Sequence, residues 1–149
     1  MDSKMGGSRK IVFKLVQDDD GYPPVDYEGV WAIPLDEGRF TIDNIPFFAC
    51  DATLGDVVSA EEEMGELRFV TMIKSSGSSL LRMVYVEGSD VEKIRADLRD
   101  LGCSTEWDEN HRLISVNVPP EAELSRVREF LDSGLEQGIS DYEEAIIRE

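Results

Sequence analysis

The sequence has 149 residues, 41% of them hydrophobic, and its 15 basic and 32 acidic side chains give a formal net charge of −17. A chain of this length can bury the core of one domain or of two small ones. The acidic excess argues against nucleic acid as a partner, because phosphate binding depends on clustered Lys and Arg. No apolar run approaches the roughly 18 residues of a membrane span, and residues 1–10 lack the apolar region of a signal peptide. We therefore expect a cytoplasmic protein with no membrane partner.

Cysteine and histidine are too few and too scattered to predict a metal site. Cys50 and Cys103 stand in different apolar segments, so we predict two reduced, buried cysteines rather than a disulfide or a metal pair. His111 is the single histidine, and a zinc site is not expected from this inventory. The sequence thus predicts no metal and no cofactor.

The chain opens with a polar, glycine-containing segment, residues 1–8, which predicts a loose terminus. Residues 10–16 follow as a β-rich run in which Ile11, Phe13 and Leu15 fall on one face. This alternation predicts a first strand with one buried face.

Three consecutive aspartates, Asp18, Asp19 and Asp20, lie in the next segment, residues 17–24. Its glycine and its two prolines block regular structure, so a loop is predicted. The cluster does not match a calcium-binding loop, which needs carboxylates at alternate positions. We interpret it as a solvated or partner-facing loop.

The strongest strand and turn signals lie within residues 27–58. Apolar and polar residues alternate on both sides of Asp36, Glu37 and Gly38, which predicts a β-hairpin whose turn uses the positive φ open to glycine. Trp31, in the first strand of this hairpin, is predicted to belong to the core.

An apolar run, residues 45–50, comes after the hairpin. Pro46 confines any strand here to a strand start, an edge or a bulge, because proline cannot donate to a ladder. Phe47 and Phe48 point to opposite faces if the run is extended. Residues 54–58 then predict a turn that leads into an apolar strand.

An acidic turn, residues 59–65, and a strand, residues 66–74, complete a predicted sheet of about five strands. Short strands with regular turns favour a small, strongly bent, barrel-like sheet. The Ser/Gly run at residues 75–79 breaks the pattern and predicts a domain boundary. We divide the chain into a small all-β subdomain, residues 1–78, and a second subdomain, residues 79–149.

The second half carries signals for four strands and two helices. The strands are predicted over residues 80–86, 103–107, 111–118 and 141–147. Ser89 and Glu92 form a capping box for the first helix, whose apolar stripe consists of Val91, Ile94, Leu98 and Leu101 and which ends at Gly102. The second helix is predicted to begin at Pro119-Pro120, to end at Gly138 and to bury one face that includes Val127, Leu131 and Leu135.

This order, β, α, β, β, α, β, predicts a ferredoxin-like domain with a four-stranded antiparallel sheet and two helices on one face. The predicted fold class is therefore α+β, with a small N-terminal β-barrel-like sheet followed by a ferredoxin-like βαββαβ domain.

Three motifs carry a family resemblance: GYPP at residues 21–24, DNIPFF at residues 43–48 and LGDVV at residues 54–58. With them the chain resembles an uncharacterised bacterial family known only as a domain of unknown function. Residues 101–103 and 116–120 are also similar to that family, so the resemblance covers nearly the whole chain. It implies no catalytic residues.

Candidates for catalysis are weak. Asp43 and Asp56 lie close in sequence to Phe47 and Phe48, and a carboxylate held against aromatic rings can act as an acid. Beside turns, however, short carboxylates commonly bond nearby backbone N–H groups. His111 follows a turn and is predicted to be a half-exposed strand residue. We expect a protein that acts by binding rather than by catalysis.

The favoured function is an acidic binding protein that recognises a basic protein partner, as an immunity or antitoxin-like inhibitor does. A large negative field would steer such a partner toward it. The candidate partner-binding residues are acidic or aromatic and lie in the first half: Asp18, Asp19, Asp20, Tyr22, Asp43, Phe47, Phe48 and Asp56.

An alternative function is a small-molecule-sensing regulatory domain of ferredoxin-like type that pairs as a homodimer. The glycine-bearing turn after the first strand of the second half, residues 86–89, favours this hypothesis. A helix N-cap is the favoured explanation of the same turn.

Overall fold

The computed structural model describes residues 7–148, and within that range the chain forms nine β-strands, two α-helices and one short 3₁₀ helix. The chain divides into two compact units, with the boundary in the sequence between Ser76 and Gly77. Of the predicted loose terminus, residues 1–6 lie outside the described range. No helix among residues 7–148 is long and apolar enough to cross a membrane.

The first unit contains one sheet of five strands: β1 (Arg9–Lys14), β2 (Tyr27–Pro34), β3 (Arg39–Ile42), β4 (Val57–Glu63) and β5 (Glu66–Lys74). Consecutive strands pair antiparallel, and β1 also pairs with β5 in parallel, so the sheet closes into a ring. The predicted β2–β3 hairpin is confirmed. Ala32 lies opposite Ile42, and Gly38 in the turn has a φ of 75°.

Alternating apolar residues fill the inside of this ring. Ile11 and Phe13 on β1 and Ala32 on β2 are completely buried. The ring of Phe13 stacks on that of Phe69, with 4.6 Å between centroids. Because successive strand residues point to opposite faces, closing the sheet lets five short strands bury one face against itself.

One prediction for the first unit is wrong in detail. Residues 59–65 are not a turn, since β4 continues to Glu63 and only Met64 and Gly65 reverse the chain. Ala60 packs inward while the glutamates that follow it remain exposed, so acidity here marks the outer end of a hairpin. Residues 45–50, where Pro46 restricted any strand to a start, an edge or a bulge, form no strand.

Trp31 is half-buried and does not belong to the core of the ring. Its neighbours Val30 and Ala32 take the inward positions, so alternation places Trp31 on the outer face. The Lys10 ammonium lies 4.9 Å from the centre of the indole ring. A cation–π contact of this kind shields an exposed aromatic ring without burying it.

The second unit contains the strands β6 (Ser79–Tyr85), β7 (Ser104–Asp108), β8 (Leu113–Val118) and β9 (Ser140–Ile146) and the helices α1 (Val91–Asp100) and α2 (Leu124–Glu136). The strands form one antiparallel sheet in the order β7-β8-β6-β9. The chain order is β, α, β, β, α, β. Four predicted strands and two predicted helices are therefore present.

The core of the second unit lies between the helices and one face of the sheet. Leu98 of α1 and Val127 of α2 are completely buried, and Leu131 is 2% exposed. They pack with alternate residues of the central strands, among them Leu81 and Ile114. The helical and strand periodicities thus converge on a single core.

The ends of both helices differ from the predictions. Asp90, not Ser89, caps α1 by accepting the Lys93 backbone N–H at 3.1 Å. Ser89 instead bonds back to the Val86 carbonyl oxygen at 2.7 Å. The helix α2 begins at Leu124 rather than at Pro120, and the Ala122 N–H closes a turn on the Pro119 carbonyl oxygen.

Four further side chains depart from their predicted environments. Leu135, predicted to be buried on α2, is 46% exposed. His111 belongs to the 3₁₀ helix Glu109–His111 rather than to a strand, and its Nδ1 lies 2.6 Å from Asp108 Oδ2. Ser78 and Ser79, expected in a linker, are buried, and Ser79 begins β6.

Candidate functional site

An apolar cavity of about 500 Å³ lies in the second unit, at the end of β6 and between the two helices. Its walls include the apolar side chains of Met83, Ile94, Phe130, Leu131 and Ile139. The volume falls in the range of roughly 300–1,000 Å³ that is usual for small-molecule sites.

The turn between β6 and α1, residues 86–90, forms one wall of this cavity. The Val86 N–H donates to the Ile139 carbonyl oxygen at 3.0 Å, and the Val86 carbonyl oxygen accepts the Ser89 hydroxyl. Gly88 has a φ of 90°, a conformation that a side chain would strain. Hydrogen bonds therefore hold the turn at Val86 and Ser89, and Gly88 between them has no side chain.

Gly134 on α2 forms part of the opposite wall. A Cβ atom at this position would collide with the hydroxyl of Ser140, so glycine allows the start of β9 to approach the helix closely. The Ile139 N–H donates to the Gly134 carbonyl oxygen at 3.1 Å, which holds the chain there. This close approach shapes the cavity floor.

Charged residues lie among the residues around the cavity: Glu87, Asp90, Lys93 and Asp97. Lys93 Nζ lies 3.1 Å from Asp97 Oδ2 in an ion pair along α1. Asp90 is engaged as the helix cap. Three carboxylates against one ammonium give the cavity lining an acidic excess.

A second cavity, of about 530 Å³, lies on the other side of the same turn. It shares residues 87–90 with the first cavity and adds Tyr85, Trp107 and Arg112. The Trp107 indole N–H donates to the Tyr85 hydroxyl at 2.6 Å, and Arg112 lies 3.6 Å from Glu87. The turn therefore separates an apolar compartment from an aromatic and charged one.

The predicted partner-binding residues lie in the first unit, and part of the set comes together. Asp18 accepts the backbone N–H groups of Asp20 at 2.9 Å and Tyr22 at 3.0 Å, so its carboxylate holds the loop in shape. The ring of Tyr22 meets that of Phe48 edge to face at 6.1 Å. Asp19 and Asp20 are exposed beside them.

Asp56 is wrongly placed in the predicted binding surface. Its side chain is completely buried, and its two carboxylate oxygens accept the backbone N–H groups of Thr53 at 2.9 Å and Ser76 at 2.8 Å. Asp43 and Phe47 are half-buried. Asp56 therefore holds two loops together and offers nothing to a partner.

Glu28 was missed by the sequence reading, although it organises the 45–50 segment. Its carboxylate accepts three consecutive backbone N–H groups, those of Phe47 at 2.6 Å, Phe48 at 3.0 Å and Ala49 at 2.8 Å. A signal was present in the sequence. Glu28 has the same strand parity as the inward-facing Val30 and Ala32, and a charged residue on the inward face needs a partner.

The cysteines and other possible metal ligands form no site in the described part of the chain. No group of three or more His, Cys, Asp or Glu side chains is close enough to hold a metal ion within residues 7–148. Neither cysteine is in a disulfide, but Cys50 is exposed, which corrects the prediction that both are buried. Burial raises the pKa of the Cys103 thiol to about 11, so it stays protonated and unreactive near neutral pH.

The pKa of Tyr142 on β9 is strongly shifted. Its hydroxyl donates to Asp132 Oδ1 on α2 at 2.6 Å. This hydrogen bond, together with burial and the charge of Asp132, raises the pKa of Tyr142 to about 12 from its ordinary value of 10.0. The bond joins the last strand to the second helix.

Stability is expected to fall between about pH 10 and pH 12 through Tyr142. The unfolded chain loses the phenol proton near its ordinary pKa of 10.0 while the folded chain keeps it to about 12, so unfolding is favoured progressively across this interval. Below pH 10 the contribution is fully present. Urea unfolding of the wild type and of Tyr142→Phe at pH 8 and pH 11 measures it. We expect a smaller loss of stability in Tyr142→Phe, and equal losses in the two proteins would contradict this role of Tyr142.

Comparison with protein families gives a match over residues 28–142, to the domain of unknown function DUF4265. The chain belongs to this family. The predicted membership of an uncharacterised domain family is confirmed, and both the DNIPFF and the LGDVV segments lie inside the match. No curated protein matches the chain.

A solved structure, described as a novel crystal structure of a hypothetical protein from Neisseria gonorrhoeae, is similar over the whole length. The match covers 99% of each chain with a TM-score of 0.78 and 24% sequence identity. The likeness concerns the fold, so the DUF4265 match and this neighbour describe an architecture and leave the activity to be argued from the site.

Proposed function

We propose that this DUF4265 protein binds a small molecule in the apolar cavity of its second unit, as a regulatory domain does. The observation that carries the proposal is the cavity itself: about 500 Å³ between α1, α2 and the β6–α1 turn, with apolar walls and a few polar groups. No clustered metal ligands compete with this interpretation among the described residues. Binding, rather than turnover, is the chemistry that such a lining supports.

The arrangement of the second unit supports this proposal. We infer a ferredoxin-like fold from the βαββαβ element order and from the strand order β7-β8-β6-β9, in which the first and third strands of the unit are central. In this arrangement the β6–α1 turn and the α2–β9 connection lie at one end of the sheet. Both contribute walls to the cavity.

Filling the cavity is expected to abolish binding of an apolar probe. Ser133 on α2 lines the cavity, and Ser133→Phe places a ring in it. The probe is N-phenyl-1-naphthylamine, a neutral fluorophore whose emission rises in apolar surroundings. We expect saturable binding to the wild type and about tenfold weaker binding to the variant, a loss of about 1.4 kcal/mol.

Ser125→Phe is the matched control, because Ser125 is also exposed on α2 and lines neither cavity of the second unit. It should bind the probe as the wild type does, with circular dichroism confirming that both variants are folded. Equal binding by all three proteins, or no saturable binding by the wild type, contradicts the proposal.

A second proposal, an acidic surface for a basic protein partner of the immunity or antitoxin-like kind, is supported by one group of residues in the first unit. The exposed Asp19 and Asp20 lie beside the Tyr22–Phe48 ring contact. Aromatic anchors with flanking charge are common at protein interfaces. The absence of a disulfide between Cys50 and Cys103 supports the accompanying proposal of a reducing, cytoplasmic location.

Neutralising this loop should slow association with a basic partner recovered from the host lysate. Asp19→Asn with Asp20→Asn removes two charges and spares Asp18, whose side chain shapes the loop. The control is Glu61→Gln with Glu62→Gln, the same charge change on the exposed β4 glutamates. The association rate should fall several-fold more for the loop variant, and the difference should shrink in high salt. Equal rates for the two variants would contradict this surface.

A further inference from the structure

We propose that the ligand of the first cavity is an apolar amine, with its hydrocarbon part against the apolar walls and its ammonium group at the acidic side of the cavity. This inference rests on the proposed function and names the class of ligand for the same site. It combines the shape of the cavity with its charge.

The apolar walls of the cavity indicate that part of the ligand is hydrocarbon. The apolar walls come from both helices, from β6 and from the α2–β9 connection: Met83, Ile94, Phe130, Leu131 and Ile139. Leu131 and Met83 are almost fully buried, whereas Ile94 and Phe130 are half-buried and face accessible space. A ligand that covers these partly exposed side chains removes apolar surface from water, which is favourable in proportion to the area covered.

The charged residues around the cavity determine which polar group of a ligand is favoured. The carboxylates of Glu87, Asp90 and Asp97 surround the cavity against the single ammonium of Lys93, and Lys93 already lies 3.1 Å from Asp97. Glu87 is 86% exposed, with Arg112 3.6 Å away on the other side of the turn. The remaining charge is negative and lies within a chain of net charge −17, so a cationic group is attracted and a carboxylate is repelled.

The N-terminus of α1 opposes this preference only weakly. Its partial positive charge favours anions, but the Asp90 carboxylate already accepts the Lys93 N–H there and places a full negative charge at the same helix end. The position is thus occupied by an anion that belongs to the protein. The net field at the cavity favours the ammonium group.

Three ligands of equal length test the charge preference: 4-phenylbutylamine, 4-phenylbutanol and 4-phenylbutyrate, each measured by displacement of N-phenyl-1-naphthylamine from the full chain. We expect the amine to bind about fivefold or more tightly than the alcohol, and the alcohol to bind more tightly than the carboxylate. The amine preference should shrink in high salt, because partly exposed charges are screened.

Two variants of α1 test whether a carboxylate in the cavity lining causes the preference for the amine over the alcohol. Asp97→Asn removes a carboxylate from the cavity lining and frees Lys93 from its ion pair, so the preference for amine over alcohol should fall to about unity. Asp100→Asn makes the same change on the same helix outside this cavity and should keep most of the preference. The alcohol serves as an internal reference for correct folding, since its affinity should change little in either variant.

The outcomes separate the two proposals. If none of the three compounds displaces the probe, the ligand-binding function of the cavity is wrong. If the alcohol or the carboxylate binds as tightly as the amine, or if Asp97→Asn and Asp100→Asn behave alike, the cavity binds ligands but the assignment to amines is overturned.

Discussion

Glu28→Ala is expected to destabilise the first unit by about 2–4 kcal/mol, because hydrogen bonds to charged groups contribute about 1.5–3 kcal/mol each and do not add fully. The carboxylate accepts three consecutive N–H groups, and the last of them belongs to the fully buried Ala49. Without the carboxylate these donors lose their partner in a segment that has no strand ladder to replace it. Urea unfolding of the full chain measures the change in free energy.

Glu66→Ala is the control for Glu28, since Glu66 is an exposed glutamate whose partner is Arg68 at 2.9 Å. Exposed ion pairs contribute about 0–1 kcal/mol, so this variant should be nearly as stable as the wild type. Hydrogen exchange of the Phe47, Phe48 and Ala49 amides should accelerate only in Glu28→Ala. Equal stability of the two variants, with unchanged exchange, would show that Glu28 does not hold this segment.

Asp56→Ala is expected to lower the free energy of unfolding by about 3–5 kcal/mol, because two backbone N–H groups lose their partner at about 1–3 kcal/mol each. The side chain is completely buried and joins the Thr53 turn to Ser76, which follows β5. Asp56→Asn keeps the shape but directs an amide group at one of the two backbone donors. Asp56→Asn should therefore lower the free energy of unfolding by about 2–3 kcal/mol, close to the penalty for one unsatisfied buried polar group.

Asp51→Asn provides the comparison for Asp56, because Asp51 is an exposed aspartate in the same connection. Its free energy of unfolding should stay within about 0.5 kcal/mol of the wild type, as for most surface substitutions. The measurement is the same urea titration. A loss at position 56 no larger than the loss at position 51 would mean that the buried hydrogen bonds contribute little.

Much of the fold could be predicted because the spacing of apolar residues along the chain determines which faces of the strands and helices are buried. The alternation around Ile11 and Phe13 and the stripe that includes Leu98 each define one buried face, and both are buried as predicted. Local patterns fail to predict the structure where a residue far away in the sequence determines it. The Glu28 carboxylate, about twenty residues earlier, takes the N–H groups of residues 47–49 that a strand ladder would use, and nothing within residues 45–50 predicts this contact.

The predicted helix ends are wrong for a different reason, since several neighbouring residues can each cap or begin a helix. Ser89 and Asp90 are both good N-caps, and only the path of the β6–α1 turn decides that Asp90 accepts the Lys93 N–H. Pro120 suits a first helical position, yet the Pro119–Ala122 turn delays α2 until Leu124.

The candidate site was the least predictable feature. The glycine-bearing turn at residues 86–89 pointed to one wall of the cavity, but Phe130 and Gly134 come from a helix more than forty residues away. Their approach depends on how α2 packs and on the missing Cβ at Gly134. No local pattern in the sequence predicts an open cavity between two helices.

The most direct test of the central claim is to map where a small apolar molecule binds, with ¹H–¹⁵N spectra of the full chain during titration with 4-phenylbutanol. The neutral ligand tests the cavity without assuming the preference for amines. We expect saturable shifts to concentrate in the amides of residues 86–90, Ile94 and Gly134, which surround the cavity. Shifts concentrated in the first unit, or no saturable shifts, would contradict it.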